Sequence, residues 1–383
     1  MRVLYDHQVF DLQTHGGISN GFVQQISHFP ASTQYQLGIK RTNNVHLLES
    51  GLSHVKPFLC TPETFLTKRH FPGKSLLYGV LSQRILQLRP WDLNSAYSLQ
   101  LLKEGNYDVF HPTYFLWYFL DYLNGKPFVL TIHDLTPEHF FNDPTDEQIQ
   151  ARKLLIDKAA HIITVSEYTR QDVMDYYHVP ESKISVVYWG GPAAVAYSKI
   201  KRYDFDYMLY VGSRTASYKN FIPMLRHLQP FFQNHPEIKL ICTGNGFNEN
   251  EIAEINRLGI VHQVINQFCS QKELMNLYAH ALCFIYPSMN EGFGIPILEA
   301  YAAGCPVFLN HKSCFPEIAA DAAVYFHLDD KDGDLLDQLV SFLQETPEQK
   351  KRLLDKQKER LSYFSWDKSV ADLLKVYQLV GNS

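Results

Sequence analysis

The chain has 383 residues, of which 45% are hydrophobic and 20% charged, and its formal net charge is −5. This is the composition of a folded globular protein, and the charge excludes a surface built to coat nucleic acid. One hydrophobic core stops growing below this length, so two domains are expected.

In chain order, apolar runs of strand length alternate with helical patterns, which predicts βα units and an α/β fold with parallel sheets. In the first half the runs are Val3–Tyr5, Tyr35–Ile39, Asp108–His111, Phe128–Ile132, His161–Val165 and Ile184–Tyr188. Helical patterns fall at Ser19–Phe29, Glu147–Lys158 and Ser166–Tyr177. The segment Trp189–Tyr203, with its Gly-Gly-Pro, reads as a linker. The architecture then restarts, with runs at Tyr207–Val211, Lys239–Thr243, Val261–Asn266, Leu282–Tyr286, Pro306–Leu309 and Ala323–Phe326. Helices are expected near Phe221–Phe232, Glu249–Leu258, Gln271–His280, Gly294–Ala303 and Leu335–Glu345. The expected domains are therefore 1–190 and 204–364. A tail helix over 365–383 has Trp366, Val370, Leu373, Leu374 and Tyr377 at helical spacing and is expected to return to the first domain.

The six cysteines form no Cys-x-x-Cys pair, which fits buried thiols in a reducing compartment. The amino-terminal segment lacks the apolar core of a signal peptide, and no run of 18 apolar residues is present, so a cytoplasmic protein is expected. From Thr64 to Trp91 there is no acidic residue, whereas Lys68, Arg69, Lys74, Arg84 and Arg89 alternate with apolar positions. That stretch suits either a solvated cationic face or peripheral contact with an anionic surface such as the inner membrane.

The strongest chemical signal is Glu291-Gly292-Phe293-Gly294-Ile295-Pro296-Ile297-Leu298-Glu299 at a strand-to-helix junction. Its glycines admit close backbone approach, the helix N-terminus favours an anion, and Glu291 and Glu299 can accept hydrogen bonds from vicinal hydroxyls. With its flanks, from Tyr286 to Val307, this segment resembles the hallmark of glycosyltransferase family 4. That family has the GT-B fold, two Rossmann-like domains facing across a cleft, and transfers sugars with retention of anomeric configuration.

The resemblance extends to Tyr210-Val-Gly212-Ser-Arg214-Thr-Ala-Ser-Tyr-Lys219-Asn220, and implies that Arg214 and Lys219 bind the donor pyrophosphate, with Gly212 in the same loop. It also implies that Gly16 and Gly17 face the donor across the cleft, that His133 contacts the transferred sugar and that Glu299 binds ribose. Base recognition is expected around Phe268 and Cys269. Catalysis then falls to His133, Arg214, Lys219 and Glu291. The donor site adds Gly16, Gly17, Gly212, Phe268, Gly292, Phe293, Gly294 and Glu299. Strand ends facing the same crevice offer His111, Thr113 and Asp134 for the acceptor.

No metal and no cofactor is expected. The Asp-x-Asp patterns Asp204-Phe-Asp206 and Asp332-Gly-Asp334 do not end strands, and the segment from Leu328 fails the EF-hand pattern. The implied partners are a GDP- or UDP-linked sugar and a saccharide or lipid-linked acceptor in surface-polysaccharide assembly, lipopolysaccharide or capsule. A sugar-nucleotide-binding protein without activity, or another GT-B enzyme such as an epimerase, is the alternative. The segment Tyr188-Trp189-Gly190-Gly191-Pro192 departs from the Asn-Gly of many relatives, which puts interdomain contacts there in question.

Overall fold

The computed structural model describes residues 1–52, 55–58, 90–141, 143, 145–192, 201–328 and 333–381. The basic residues Lys68, Arg69, Lys74, Arg84 and Arg89, the middle of the linker and Asp332 lie outside the described residues.

Twelve strands among the described residues form two all-parallel assemblies. The first holds β1 (Arg2–Tyr5), β2 (Gln34–Leu37), β3 (Val109–His111), β4 (Val129–Ile132), β5 (His161–Thr164) and β6 (Ile184–Val186). Their order is β2-β1-β3 and β4-β5-β6, and a parallel bridge between Phe110 and Phe128 joins the two halves. The second holds β7 (Tyr207–Tyr210), β8 (Lys239–Thr243), β9 (Val264–Gln267), β10 (Cys283–Tyr286), β11 (Val307–Asn310) and β12 (Val324–Phe326), ordered β12-β11-β10-β7-β8-β9. Central strands such as β4 and β10 are buried at every residue, because helices cover both faces. That is why they read as apolar runs rather than alternating ones.

In the second sheet the strand order reverses between β7 and β10, and in the first between β1 and β3. Loops leaving strands on either side of such a reversal diverge and open a crevice at the carboxyl ends. The two crevices face each other. A Cβ on Gly17, at the start of helix Gly17–Ser27, would lie 3.4 Å from Cδ1 of Ile295, at the start of helix Ile295–Ala302.

One apolar cluster belongs to both lobes. Trp189 and Val165 pack with Tyr286, Phe293, Ile297 and Leu298 of the second lobe and with Phe364 and Trp366 at its exit. Trp189 also lies over the helix Gly17–Ser27, where a Cβ on Gly21 would come within 2.7 Å of its ring. The segment that departs from the family pattern therefore supplies an interlobe contact. Beyond it the chain crosses between lobes twice, side by side. Gly191 N donates to Phe364 O at 3.0 Å, and a Cβ on Gly190 would overlap the Trp366 backbone.

Helix Trp366–Gly381 returns to the first lobe. Leu373, Val376, Tyr377 and Val380 are buried against Val3, Tyr5, Phe22 and Val109. At its centre the Tyr377 hydroxyl stands 2.6 Å from the Tyr5 hydroxyl and 2.6 Å from His111 Nδ1.

Among the elements that differ from expectation, two show why. β9 starts at Val264 rather than Val261, because Gly259, at φ +72°, ends the preceding helix and Gln263 N closes a turn on Ile260 O at 3.0 Å. Helix Pro347–Ser362 goes unread in the sequence because it is mostly charged, although Thr346 and Gln349 form a capping box at its start.

Replacing Tyr377 by Phe leaves the buried Tyr5 hydroxyl and His111 Nδ1 without this partner. It should lower stability by about 1–3 kcal/mol in a urea unfolding titration.

Candidate active site

Two loops of the second lobe meet beneath the crevice. The first, residues 211–220, leaves β7 through Gly212, whose φ of +111° an L side chain rarely adopts, and ends in a 3-10 turn, Ser217–Lys219. The second, residues 287–294, leaves β10 and ends at Gly294, which caps helix Ile295–Ala302 with φ +89°. Met289 N donates to Tyr218 O at 2.7 Å and ties one loop to the other. Lys219 Nζ donates to Glu291 Oε1 at 2.5 Å, with only 17% and 15% of the two side chains exposed. Burial pulls the Lys219 pKa down. Glu291, Tyr218 and Asp134 more than reverse that, so the ammonium is held charged above its ordinary value.

Arg214, expected with Lys219 on the donor pyrophosphate, is held by groups of the second lobe. Its side chain is 3% exposed, and the guanidinium is turned into the second lobe. Nη1 donates to Thr243 O at 2.8 Å, Nη2 donates to Asn245 O, and Nε lies 3.3 Å from Glu251 Oε1. The plane rests over the Phe247 and Phe221 rings at 4.9 and 5.6 Å. Carbonyls and a carboxylate already engage the fork, which makes Arg214 a strut for the loop after β8.

Glu299 lies on helix Ile295–Ala302, where Gln271 Nε2 donates to its Oε1 at 2.8 Å. Burial raises its pKa, and the Gln271 bond opposes that shift. Gln271 opens the helix that follows Phe268 and Cys269, and Phe268 is 73% exposed. Phe293 is buried in the shared apolar cluster.

On the first-lobe side His133 directly follows the strand β4. Its imidazole is buried edge-on to Trp189 and Phe22 at 5.4 and 5.9 Å, and Nδ1 has no hydrogen-bond partner among the described residues. Burial drives its pKa down to about 4, with Asp134 opposing and Arg152 assisting, so the ring is neutral near pH 7. The His133 carbonyl faces the other lobe, where a Cβ on Gly292 would overlap it and would lie 3.3 Å from Asp134 Cβ. This contact brings His133 and Asp134 to the Glu291 loop. Asp134 Oδ1 accepts from Thr136 N at 2.9 Å. Gly16 has no space for a side chain either. The Gln13 side chain fills it while accepting from Ser19 N at 3.1 Å near the start of helix Gly17–Ser27.

The acceptor assignment of His111 and Thr113 needs correction. His111 is wholly buried, with Nδ1 on Tyr377 and Nε2 2.8 Å from Thr131 Oγ1. Thr113 Oγ1 donates to Asp6 Oδ1 at 2.7 Å and accepts from Val9 N at 3.1 Å. Both side chains are committed to the inside of the first lobe. The sequence reading also missed Asn290 and Glu317, which reach the first lobe from the second. Trp189 was visible only as a departure from a pattern.

Known glycosyltransferases resemble both lobes of the chain. A family model described as "Glycosyl transferases group 1" matches residues 198–360, and one described as "Glycosyltransferase Family 4" matches residues 59–190. An O-antigen chain mannosyltransferase of Salmonella typhimurium, RfbU, is 26% identical over 53% of this chain and 57% of its own length. O-antigen chain mannosyltransferase B of Escherichia coli is 25% identical over 72% of this chain and 79% of its own. Among solved structures, Anabaena HepE in complex with UDP and glucose superposes with a TM-score of 0.71 at 16% identity, covering 98% of this chain and 99% of its own. The sucrose-phosphate synthase of Thermosynechococcus elongatus gives 0.70 at 17%, over 100% and 99%.

The paired parallel sheets facing across a crevice are thus the GT-B fold. One glycosyltransferase family model matches each lobe, and the chain is similar to the family 4 glycosyltransferases along both.

Gly292→Ala places a methyl group on the His133 carbonyl and should lower turnover by more than about 10²-fold, in line with the effect of ~1 Å misplacements, with an unchanged far-ultraviolet spectrum. The depressed pKa values of His133, about 4, and His111, about 3, also fix a pH response. Their contribution is complete above the unfolded value of about 6.5 and is lost as pH falls toward 4. Chemical denaturation between pH 7 and 4 should show stability falling by at most about 1.4 kcal/mol per pH unit per histidine, and His111→Gln should flatten the slope.

Proposed function

We propose that this chain is a retaining hexosyltransferase that moves a sugar from a nucleoside diphosphate onto a saccharide or lipid-linked acceptor of a bacterial surface polysaccharide. Residues 1–190 with 365–383 form the acceptor side and residues 204–364 the donor side. The observation that carries the reading is the Lys219–Glu291 pair at the strand-order reversal, a charged ammonium held 2.5 Å from a carboxylate inside the crevice. The O-antigen mannosyltransferases among the relatives favour a hexose and a polysaccharide acceptor. GDP and UDP are both admitted as the nucleotide.

In this reading the bond between the anomeric carbon and the β-phosphate oxygen breaks, and both electrons leave with the diphosphate. Preorganised positive charge is the main protein contribution to such a step. Lys219 supplies it directly, and the N-termini of helices Gly17–Ser27 and Ile295–Ala302 supply partial charges from either side. Arg214 acts one step removed, by fixing the loop at Thr243 and Asn245. The acceptor hydroxyl attacks from the face the diphosphate leaves, and its proton passes to a phosphate oxygen. Glu291 positions the sugar, Glu299 takes the ribose hydroxyls and Phe268 lies beside the base. His133, neutral, offers a ring nitrogen to a sugar hydroxyl. Asp134 and the crevice floor receive the acceptor, and no divalent ion is required for these roles.

A thermal-shift screen with GDP, UDP and their sugar conjugates should reveal one nucleotide that adds about 2.7 kcal/mol of stability at 100 times its dissociation constant. Lys219→Ala should cut turnover with that donor by roughly 10²–10³-fold, as loss of an electrostatic donor does, and EDTA should leave wild-type turnover unchanged. Wild-type rates in Lys219→Ala would end the reading.

A further inference from the structure

The helix Glu167–Tyr177 of the first lobe begins at Ser166, whose hydroxyl accepts from Thr169 N at 3.1 Å. The two N–H groups ahead of Thr169 are taken by the other lobe. Glu167 N donates to Glu317 Oε1 at 2.7 Å, and Tyr168 N donates to Glu317 Oε2 at 2.8 Å. A carboxylate suits both the unpaired N–H groups and the dipole of a helix start, and here it arrives from across the crevice.

Glu317 is braced from behind. Arg360 Nε donates to Ile318 O at 2.8 Å and Nη2 to Glu317 O at 2.5 Å. The Arg360 guanidinium lies over the Tyr363 and Phe364 rings, and Phe364 O holds Gly191 N where the chain crosses between lobes. The carboxylate is thus fixed to the crossing point itself.

A second bond pair runs in parallel. The Tyr168 hydroxyl donates to Asn290 Oδ1 at 3.1 Å, and Asn290 Nδ2 donates to Thr136 Oγ1 at 2.9 Å. Asn290 is 2% exposed, and all of its side-chain partners here belong to the first lobe. It is also the residue next to Glu291. Tyr168 therefore joins both ends, with its backbone on Glu317 and its hydroxyl on Asn290.

We propose that Glu317 and Asn290 are positioning residues that form a reversible interlobe latch. The latch brings Glu291 and Lys219 into register with His133 and Asp134 only while the lobes are together. This inference rests on the transfer reading above and adds its control. When the lobes part, Glu317, the two N–H groups and the Asn290 amide all pass to water. No polar group is stranded, so the latch reopens for product release. Neither residue needs to touch the substrate.

The test uses the full chain with Glu317→Gln, which keeps the shape but turns an amide N–H donor toward an N–H group, and Asn290→Ala. If Glu317→Gln does not fold, Tyr168→Phe carries the same measurements. Small-angle scattering at saturating nucleoside diphosphate should give a larger radius of gyration for the variants than for wild type. Their diphosphate dissociation constants should stay within about threefold, and kcat should fall by 10-fold or more. An unchanged radius of gyration overturns the latch. So does an unchanged kcat, or a loss of diphosphate binding in step with kcat. Absence of turnover by the wild-type chain with any GDP- or UDP-sugar would defeat the transfer reading instead, and scattering alone would then decide the latch.

Discussion

The crevice is organised by an ammonium and a carboxylate that have both been drawn largely out of water. Lys219 and Glu291 come from loops on opposite sides of the strand-order reversal between β7 and β10. Withdrawing each ion alone would cost several kcal/mol, and their mutual attraction offsets that only while both are present. Each side chain is therefore committed to the other, and the two loops are held in one relative position. In the proposed transfer, an incoming diphosphate takes over as the partner of Lys219, which frees Glu291 for a sugar hydroxyl. The charge is in place before the substrate arrives.

The rest of the structure keeps that pair in register with the first lobe. Gly292 is bare because the His133 carbonyl occupies the space a side chain would need. Trp189 fills the volume between Gly21, His133 and Phe293, so the two cores are continuous through it. The tail helix then locks the first sheet through Tyr377. Arg214 and Lys219, five positions apart in one loop, have separate fates for a plain physical reason. The Arg214 fork finds two carbonyls, a carboxylate and two aromatic faces inside the lobe, whereas Lys219 finds its partner at the crevice.

Much of this could be read from the residues. Strands such as Val129–Ile132 and Cys283–Tyr286 are legible because burial on both faces demands unbroken apolar runs. The tail helix shows through Val370, Leu373 and Tyr377 at helical spacing, and the Glu291 loop through its glycines at a strand-to-helix turn. What could not be read depends on partners distant in the chain. His111 ends its strand beside the crevice, yet its ring is claimed by Tyr377, 266 residues later. The acceptors of Arg214 are backbone carbonyls, which carry no residue signature. Glu317 and Asn290 looked like ordinary loop and helix residues, because the N–H groups and hydroxyls they meet belong to the other lobe.

The central claim is that Lys219 holds the diphosphate, and titration calorimetry tests it directly. The nucleoside diphosphate and the matching monophosphate would each be titrated into wild type and Lys219→Met. The account predicts that wild type prefers the diphosphate by 10-fold or more and that the substitution abolishes most of this preference while leaving monophosphate affinity within about threefold. A Lys219→Met protein that keeps the full preference for the diphosphate would contradict it.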